Sequence, residues 1–582
     1  MALDGITLSA IKSELKDKLL GARIDKIYQP EDNLLTIRLR QPGENIKLLL
    51  SANPQNPRVH ITEQDFDNPY KPPAFCMLLR KHLSSGRIKK VLQPEFERIL
   101  KIIIQYKNKD GELEDKHLIV ELMGRHSNII LTKNNGHILD CIKRVTKKIS
   151  RYRELYPGKE YTSPPEQGKA NPLSATEEEF YQRLQEDLDS PLYRTIMDNY
   201  RGIGPLMGKE ISYRAGFEPE NKLDSPQQLE TLWPIFNNIF TNIQNENYYP
   251  TIVYQEDNQL KDFEAFDLKQ FDLPKESFNS ANQLLDYYFT TKLTNKQMNN
   301  LSNRLEQIIN NNLEKANKKY NRVAGQLKGA KNADKYQLKG ELITANIYRL
   351  EKGQKKVKLP NYYEDNKEVT IELDPDLTPA ENAQQYFEKY EKAKKRIKPL
   401  RREVKKTKQE LDYLQQVEIS LEQAETIAEL KAIEQELMEE DYIQEQTDST
   451  DKQDKKLPPI KFKSSAGYDI LVGRNNKQND KLTQQLANNQ DLWIHVKDIA
   501  GSHTIIRNHT GKEIPQATIE EAAQIAAFHS KGRSSSNVPV DYTQVKYVNK
   551  PTGAKPGMVH YENQTTLYVT PQEEIIKKLK AE

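Results

Sequence analysis

Two cysteines in 582 residues, Cys76 and Cys141, are too few for a disulfide framework, a Cys-rich zinc site or a four-cysteine iron–sulfur cluster. No apolar run approaches the length needed to cross a bilayer. The opening Met-Ala-Leu-Asp-Gly has neither the basic nor the apolar region of an export signal. The expectation is a soluble cytoplasmic protein with no membrane partner. Net charge is also nearly absent, +3 from 87 basic and 84 acidic residues, so any nucleic-acid surface has to be local. Catalytic signatures are missing as well. There is no HExxH pair and no nucleophile elbow, and Gly202-Ile203-Gly204 is followed by neither Lys-Ser/Thr nor a βαβ unit. No catalytic residue, metal site or cofactor is expected.

What is abundant is charge, 29% of residues against 36% hydrophobic, and much of that skew comes from residues 285–438. There Leu313, Ala316, Tyr320, Val323 and Leu327 repeat at gaps of three and four, and Leu400, Val404, Thr407, Leu411, Leu414 and Leu421 do the same. Each series puts one narrow apolar stripe on a helix. Between them, 353–378 is polar, holds Pro360 and Pro375, and contains the alternating run Val369-Thr370-Ile371-Glu372-Leu373. Two such arms bury their stripes on each other, which predicts an antiparallel coiled-coil arm over 281–445 with its tip at about 353–378. Roughly 65 residues of helix would reach on the order of 100 Å. A linker is expected at 446–457.

Residues 1–175 read as an α+β unit. Ile6, Ile11, Leu15, Leu19 and Leu20 share a helical face that Gly21 ends. Strand-like runs follow at 23–29, 34–39, 47–52, 99–105, 117–122, 128–131 and 137–142, with a helix at 74–83. Arg80, Lys81 and Arg87 flank that helix, as either a solvated basic face or a contact surface. Glu97-Arg98 precedes a strand and Glu121 to Asn128 crosses a tight turn, the places where ligand contacts sit. Taken alone, Glu97 and Arg98 are either a surface ion pair, the favoured reading, or a ligand contact, and His126 is favoured as a turn residue over a metal ligand. Residues 176–280 read as helical, with helices at 191–199 and 207–215 around the Gly202–Gly204 turn. That turn is either a phosphate-holding hairpin or a plain αα connection.

The basic stretch 389–408 includes Lys394, Lys395, Arg396, Arg401 and Arg402, and is either a solvated coiled-coil face or a site for an RNA backbone. Pro399 is expected to kink its helix. Residues 458–582 form a second α+β unit. His495, His503, His529 and Asp498 lack the spacing of a relay, so binding is favoured over catalysis. His495, Lys497 and His503, with Lys550 and Lys555 of the Gly/Pro loop 550–557, are expected to face phosphate, and Trp493 is either core or a stacking platform.

Pro73-x-Phe75-Cys76-Met77-Leu78-Leu79-Arg80-Lys81, Glu121-x-Met123-Gly124-Arg125-His126-Ser127-Asn128, Leu359-Pro360-Asn361-Tyr362-Tyr363, Asp491 to Asp498 with Gly501-Ser502-His503, and Lys550-Pro551-x-Gly553-Ala554-Lys555-Pro556-Gly557 resemble the NFACT family. That family takes in the bacterial RqcH-type proteins, formerly named for fibronectin or fibrinogen binding, and the eukaryotic NEMF proteins. The resemblance runs along nearly the whole chain. It implies a multidomain α+β protein: an NFACT-N domain (1–175), a helix-hairpin-helix domain (176–280), the coiled-coil arm and an NFACT-R domain (458–582).

The resemblance also implies ribosome-associated quality control. Such proteins bind the large ribosomal subunit carrying peptidyl-tRNA and recruit alanyl-tRNA. They direct alanine tailing without mRNA, with a small RNA-binding co-factor as a further partner. The ribosome performs the peptidyl transfer, so the protein is not itself an enzyme. The tRNA-contact motif, an acidic residue followed by Arg, falls on Glu97 and Arg98, where the family commonly has Asp. Asp4 matches an acidic position near the start. Together with Arg80, Lys81, Glu121, Met123, Arg125 and His126 these form the expected tRNA side. Lys394, Lys395, Arg396, Arg401, Arg402, His495, Lys497, His503, Lys550 and Lys555 form the expected ribosome side.

Two rival readings remain. NFACT-N is similar in fold to formamidopyrimidine-DNA glycosylases, but Ala2 and Leu3 replace the N-terminal proline amine that such chemistry needs. A surface adhesin for fibronectin or fibrinogen would need an export route the sequence does not display.

Overall fold

Helix α1 (Gly5–Leu19) begins where Asp4 accepts the Thr7 amide at 2.8 Å, a side-chain cap on an orphan donor. The structure, a computed structural model, describes residues 3–108, 111–222, 225–444, 457–509 and 511–581, and divides into the units Met1–Thr294 and Asn295–Glu582. Apart from Leu457, the expected linker lies outside the described residues.

In the first unit α1 packs on an antiparallel sheet. Its strands are β1 (Arg23–Glu31), β2 (Leu34–Gln41), β3 (Glu44–Ser51), β4 (Arg58–Ile61), β5 (Arg87–Leu92), β6 (Ile99–Lys107), β7 (Leu113–Glu121), β8 (Asn128–Lys133) and β9 (Ile138–Cys141). The order is β4-β3-β2-β1-β5-β6-β7-β8-β9, and the two halves meet at the register pair Arg23–Arg87, flanked by Ile88 N–H donating to Ala22 O at 3.0 Å and Ile24 N–H to Gly86 O at 2.8 Å. Helix α2 (Ala74–Leu83) sends Cys76, Leu79 and Leu83 into the core that α1 fills with Ile11, Leu15 and Leu19. Each such fully buried aliphatic side chain contributes about 1.5–3 kcal/mol. Strand β5 escapes sequence periodicity because a bulge between Ile88 and Lys90 shifts its alternation.

Helices α3 (Glu177–Gln185), α4 (Leu192–Asn199), α5 (Pro205–Arg214) and α6 (Leu229–Gln244) follow. They enclose an aromatic centre in which Phe236 lies 4.8 Å from Phe180, 4.7 Å from Tyr200 and 4.6 Å from Phe240. The stretch up to 280 is not helical throughout, which corrects the sequence reading. Strands β10 (Thr251–Tyr254), β11 (Leu260–Glu264) and β12 (Lys275–Ser277) form a small sheet in the order β11-β10-β12. Ile252 and Phe263 reach the α1 core, and tertiary burial selects extended chain in runs too short to show a period. Helix α7 (Ala281–Lys331) is started by Glu14, whose carboxylate accepts the amides of Ala281 at 2.5 Å and Asn282 at 3.2 Å.

In the second unit α7 runs on from Asn295, and α8 (Asp334–Ala345) resumes after a two-residue break. Hairpin β13 (Lys356–Asn361)–β14 (Lys367–Glu372) turns the chain, and α9 (Pro379–Glu422) returns it. A capping box between Thr378 and Glu381, with Pro379 at the first turn, fixes the start of α9. Lys319 meets Glu403 at 2.7 Å, while the Tyr336 ring, seventeen residues later, lies 6.3 Å from that of Tyr386, seventeen residues earlier, so the arms are antiparallel. The 44 residues of α9 extend about 66 Å, and the helix continues through Pro399. The second arm is not one rod: at 423–426 the chain reverses into α10 (Ile427–Glu439). Leu430, Ile433 and Leu437 join Leu305, Ile309, Leu414 and Val417 in a three-helix base.

The remaining elements are β15 (Ile460–Lys463), β16 (Asp469–Val472), α11 (Asn476–Lys481), β17 (Leu492–Val496), β18 (Thr504–Ile506), α12 (Gln516–Phe528), β19 (Val538–Gln544), β20 (Val548–Asn549), β21 (His560–Tyr561), β22 (Thr565–Val569) and α13 (Glu573–Leu579). Strands β15-β16-β18-β17-β19-β22 make an antiparallel sheet, and β20 pairs with β21. The alanine-rich face of α12 (Ala522, Ala523, Ala526, Ala527) packs on that sheet.

Leu414→Ala is expected to lower the stability of the three-helix base by about 2–5 kcal/mol, measured as a lower midpoint in urea unfolding followed by helical circular dichroism. Lys398→Ala on the solvent face should stay within about 0.5 kcal/mol of the parent.

Candidate nucleic-acid interface

A sharp corner delivers Glu97 and Arg98 to the start of β6. Glu95 and Phe96 both adopt left-handed backbone (φ 50° and 58°), a strain of about 1–3 kcal/mol each for residues with a Cβ. The corner is clamped from inside. Phe96 is buried, and Gln93 Nε2 donates to the carbonyls of Gly5 at 2.9 Å and Glu97 at 3.0 Å. Gly202 (φ 72°) lies so close that a Cβ there would stand 2.6 Å from the Phe96 carbonyl oxygen, and Gly5 N–H donates to Gly202 O at 2.7 Å. Arg98 C=O accepts the Leu122 amide at 2.9 Å, which joins the corner to the Met123–His126 turn. Glu97 and Arg98 remain half-exposed, and Arg201 stands 3.8 Å from Glu97 and 3.5 Å from Glu95.

Asp4 is in the same cluster but buried. Its carboxyl caps α1 and faces the Gly204 amide at the start of α5, so this protein's own anion occupies the position a phosphate would take on a Gly-x-Gly turn. Beside it Glu264, also buried, accepts from the Thr7 hydroxyl and from the Ala265 amide at 2.9 Å, and its carboxyl meets that of Asp4. Burial pushes both carboxyls above their ordinary values. For Glu264 the Asp4 charge adds to the rise; for Asp4 the Thr7 amide, Glu264, the Gly204 amide and Arg98 oppose it. Two buried carboxyls in contact hold one proton between them, and the weaker opposition at Glu264 puts it there. Asp4 is therefore a positioning residue rather than a direct tRNA contact.

The other expected tRNA residues separate into two places. Met123, Arg125 and His126 share the Arg98 end of the sheet, where Arg125 Nε donates to His126 Nε2 at 3.0 Å and both side chains are exposed. Glu121 is fully buried, held by Arg153 Nη1 at 2.6 Å, Nη2 at 2.7 Å and Tyr161 Oη at 2.9 Å. Its carboxylate has no free face, so it supports the turn instead of contacting a partner. Arg80 and Lys81 lie elsewhere. Arg80 Nε donates to Ile27 O at 2.8 Å, and the neighbouring His82 feels Lys116 and Lys133, five residues along β7 from Glu121 or about 17 Å.

On the expected ribosome side, Lys394, Lys395, Arg396, Arg401 and Arg402 are all exposed along α9. The C-terminal set departs from expectation. His503 is enclosed: its Nε2–H donates to Gly557 O at 3.0 Å and Nδ1 accepts from Thr483 Oγ1 at 2.8 Å. Burial, with His495 adding to the effect, pushes it down to about 3, so it is neutral and presents no charge to phosphate. His495 is likewise held low by burial; it donates to Gly501 O at 3.1 Å and stacks 5.5 Å from Trp493, which is core. Lys550 pairs with Asp480, and Lys555 meets Glu440 at 2.6 Å while lying over Tyr413 and Tyr442. These two cations tie the Gly/Pro loop to its own unit. Lys497 is half-exposed.

Residues 4–456 match the family described as NFACT N-terminal and middle domains, and residues 459–563 match the NFACT protein RNA binding domain. The chain belongs to the NFACT family. It is 38% identical over 584 residues to Rqc2 homolog RqcH of Bacillus subtilis (strain 168) and 34% over 582 residues to Rqc2 homolog RqcH of Streptococcus suis (strain 05ZYH33), each covering 100% of both chains. It is also 30% identical over 234 residues to the human ribosome quality control complex subunit NEMF, covering 39% of this chain and 20% of that one.

This NFACT protein adds residues that sequence reasoning missed. Arg201 and Lys169 stand beside the Glu97–Arg98 pair, and Lys169 is lowered by burial, with Asp198 and Glu97 opposing that fall and Arg98 adding to it. Glu264 completes the Asp4 pair. No local pattern marks any of the three, since each reaches the corner from a distant part of the chain.

The shared proton sets a pH dependence. Folded values above unfolded ones mean that stability from this site is full below the ordinary Glu value of 4.5 and is lost as pH rises through the raised folded value. Glu264→Gln keeps a donor toward Asp4 and removes the titration. Urea unfolding should show the variant gaining on the parent as pH rises above the ordinary Glu value of 4.5; a pH-independent difference would refute the shared proton.

Proposed function

We propose that this NFACT protein is a ribosome-associated quality-control factor acting in the cytoplasm. It binds large ribosomal subunits that retain peptidyl-tRNA after a stall, recruits alanyl-tRNA, and directs mRNA-independent C-terminal alanine tailing that marks the chain for degradation. The observation that carries this reading is the end-to-end likeness to proteins named Rqc2 homolog RqcH. The corner geometry supports it, because Glu97 and Arg98 are presented on a rigid strand end with Lys169 and Arg201 adjacent. Glu97 takes the place where the family commonly carries Asp, and its longer side chain lies within 3.8 Å of Arg201.

In this reading the protein positions RNA and is not an enzyme; the ribosome forms the peptide bonds. The exposed cations from Lys394 to Arg402 contact ribosomal RNA through its backbone, and a small RNA-binding co-factor assists. Nothing in the site favours the adhesin reading. Among the described residues no helix is long and apolar enough to cross a membrane.

Glu97→Ala with Arg98→Ala should leave co-sedimentation with large subunits within about twofold of the parent and abolish alanine tails on stalled chains, scored by immunoblot and mass spectrometry. Loss of subunit binding in that variant would overturn the assignment of the pair to tRNA.

A further inference from the structure

The outward face of β1–β3 carries a cationic surface remote from the Glu97 corner. Cross-strand register sets Arg23 opposite Arg40, Lys26 opposite Arg38, and Arg38 opposite Lys47, while Arg87 of β5 stands opposite Arg23. The intervening Ile24, Ile37, Leu39 and Leu48 point into the core. All these cations are exposed except Lys47, which is half-buried. Like charges directly opposite one another destabilise a sheet, and a face that met only water would intersperse the signs. The local acid supply is small. Lys47 Nζ holds the exposed Asp65 at 2.7 Å, and Asp25 sits at the bulge between Ile24 and Lys26. Arg38, Arg40, Asn45 and Lys47, with Asp25, line a groove of about 460 Å³. In the next row Tyr28 lies opposite Thr36, with the Arg80 guanidinium 5.5 Å over its ring.

We propose that this face is a second RNA-backbone contact, occupied by the same tRNA that Glu97 and Arg98 engage. The proposal rests on the tRNA role argued above. Four of the six cations are arginines, whose planar fork matches phosphate. A contact made through cations and a groove holds RNA by its backbone without reading bases. Arg87 and Leu92 end the same strand about 17 Å apart, so the face and the corner belong to one rigid sheet. A folded RNA larger than that span meets both, and each contact raises the effective concentration at the other. Arg80, which sequence pattern grouped with the corner, belongs to this surface instead.

The test is Arg38→Gln with Arg40→Gln in the full chain, followed by fluorescence anisotropy with purified tRNA across a salt series. The Kd should rise about tenfold, and the slope of log affinity against log salt should shrink by about two. Co-sedimentation with large subunits should persist, and the thermal midpoint should hold or rise as cross-strand repulsion is relieved. An unchanged tRNA affinity and salt slope would overturn the proposal. So would weakened subunit binding with unchanged tRNA binding, which would make ribosomal RNA the occupant. A parent chain that binds no tRNA would overturn the proposed function as well, whereas the first two results strike this surface alone.

Discussion

The Asp4 carboxyl is the constraint on which the first unit depends. One side chain caps α1, meets the amide at the start of α5, and shares a proton with Glu264 at the end of β11. Two elements 200 or more residues away in sequence are thereby drawn to the start of α1 at a single buried point. Two uncompensated charges there would be expensive; the shared proton removes one of them, and the Thr7 and Gly204 amides face the other. Around this point the Phe96–Gly202 contact leaves room for no side chain larger than hydrogen. The strained Glu95–Phe96 backbone persists because its surroundings over-determine it. The result is a corner whose clamped backbone presents the half-exposed Glu97 and Arg98.

The second unit uses buried polar ties in the same way. Glu436 of α10, almost fully enclosed, accepts from Asn476 Nδ2 at 2.9 Å, Arg474 pairs with Glu429, and Lys555 lies over the stacked rings of Tyr413 and Tyr442 beside Glu440. These contacts seat the C-terminal sheet on the three-helix base. Charges that look from the sequence like a phosphate-binding loop are consumed in this seating. The cations left exposed are those of α9, where a narrow apolar stripe leaves most of the helix surface to solvent.

Much of the fold was legible from local chemistry. Heptad spacing placed the arms, Pro360, Pro375 and an alternating run placed the tip, and hydrophobic period marked α1, α2, β6 and β17. Where reading failed, tertiary contact had won over pattern: a bulge hid β5, burial made strands of 251–277, and a polar turn at 423–426 folded α10 back. The motifs also located the Glu97 corner, because a family signature travels in contiguous residues. Motifs do not report burial, and so Glu121 and His503 were assigned to contacts that their enclosure precludes, while Lys550 and Lys555 pair with Asp480 and Glu440.

The sequence by itself determined the family, the long helical arm, the lack of a disulfide framework and the residues of the candidate tRNA corner, all of which depend on order and spacing along the chain. Tertiary structure alone decided which of those polar groups face a partner and which are spent inside. Pairing a carboxyl with Glu264, Arg153 or Lys555 is a matter of distance in space, and cross-strand register, not sequence separation, set six cations side by side on one face of the sheet.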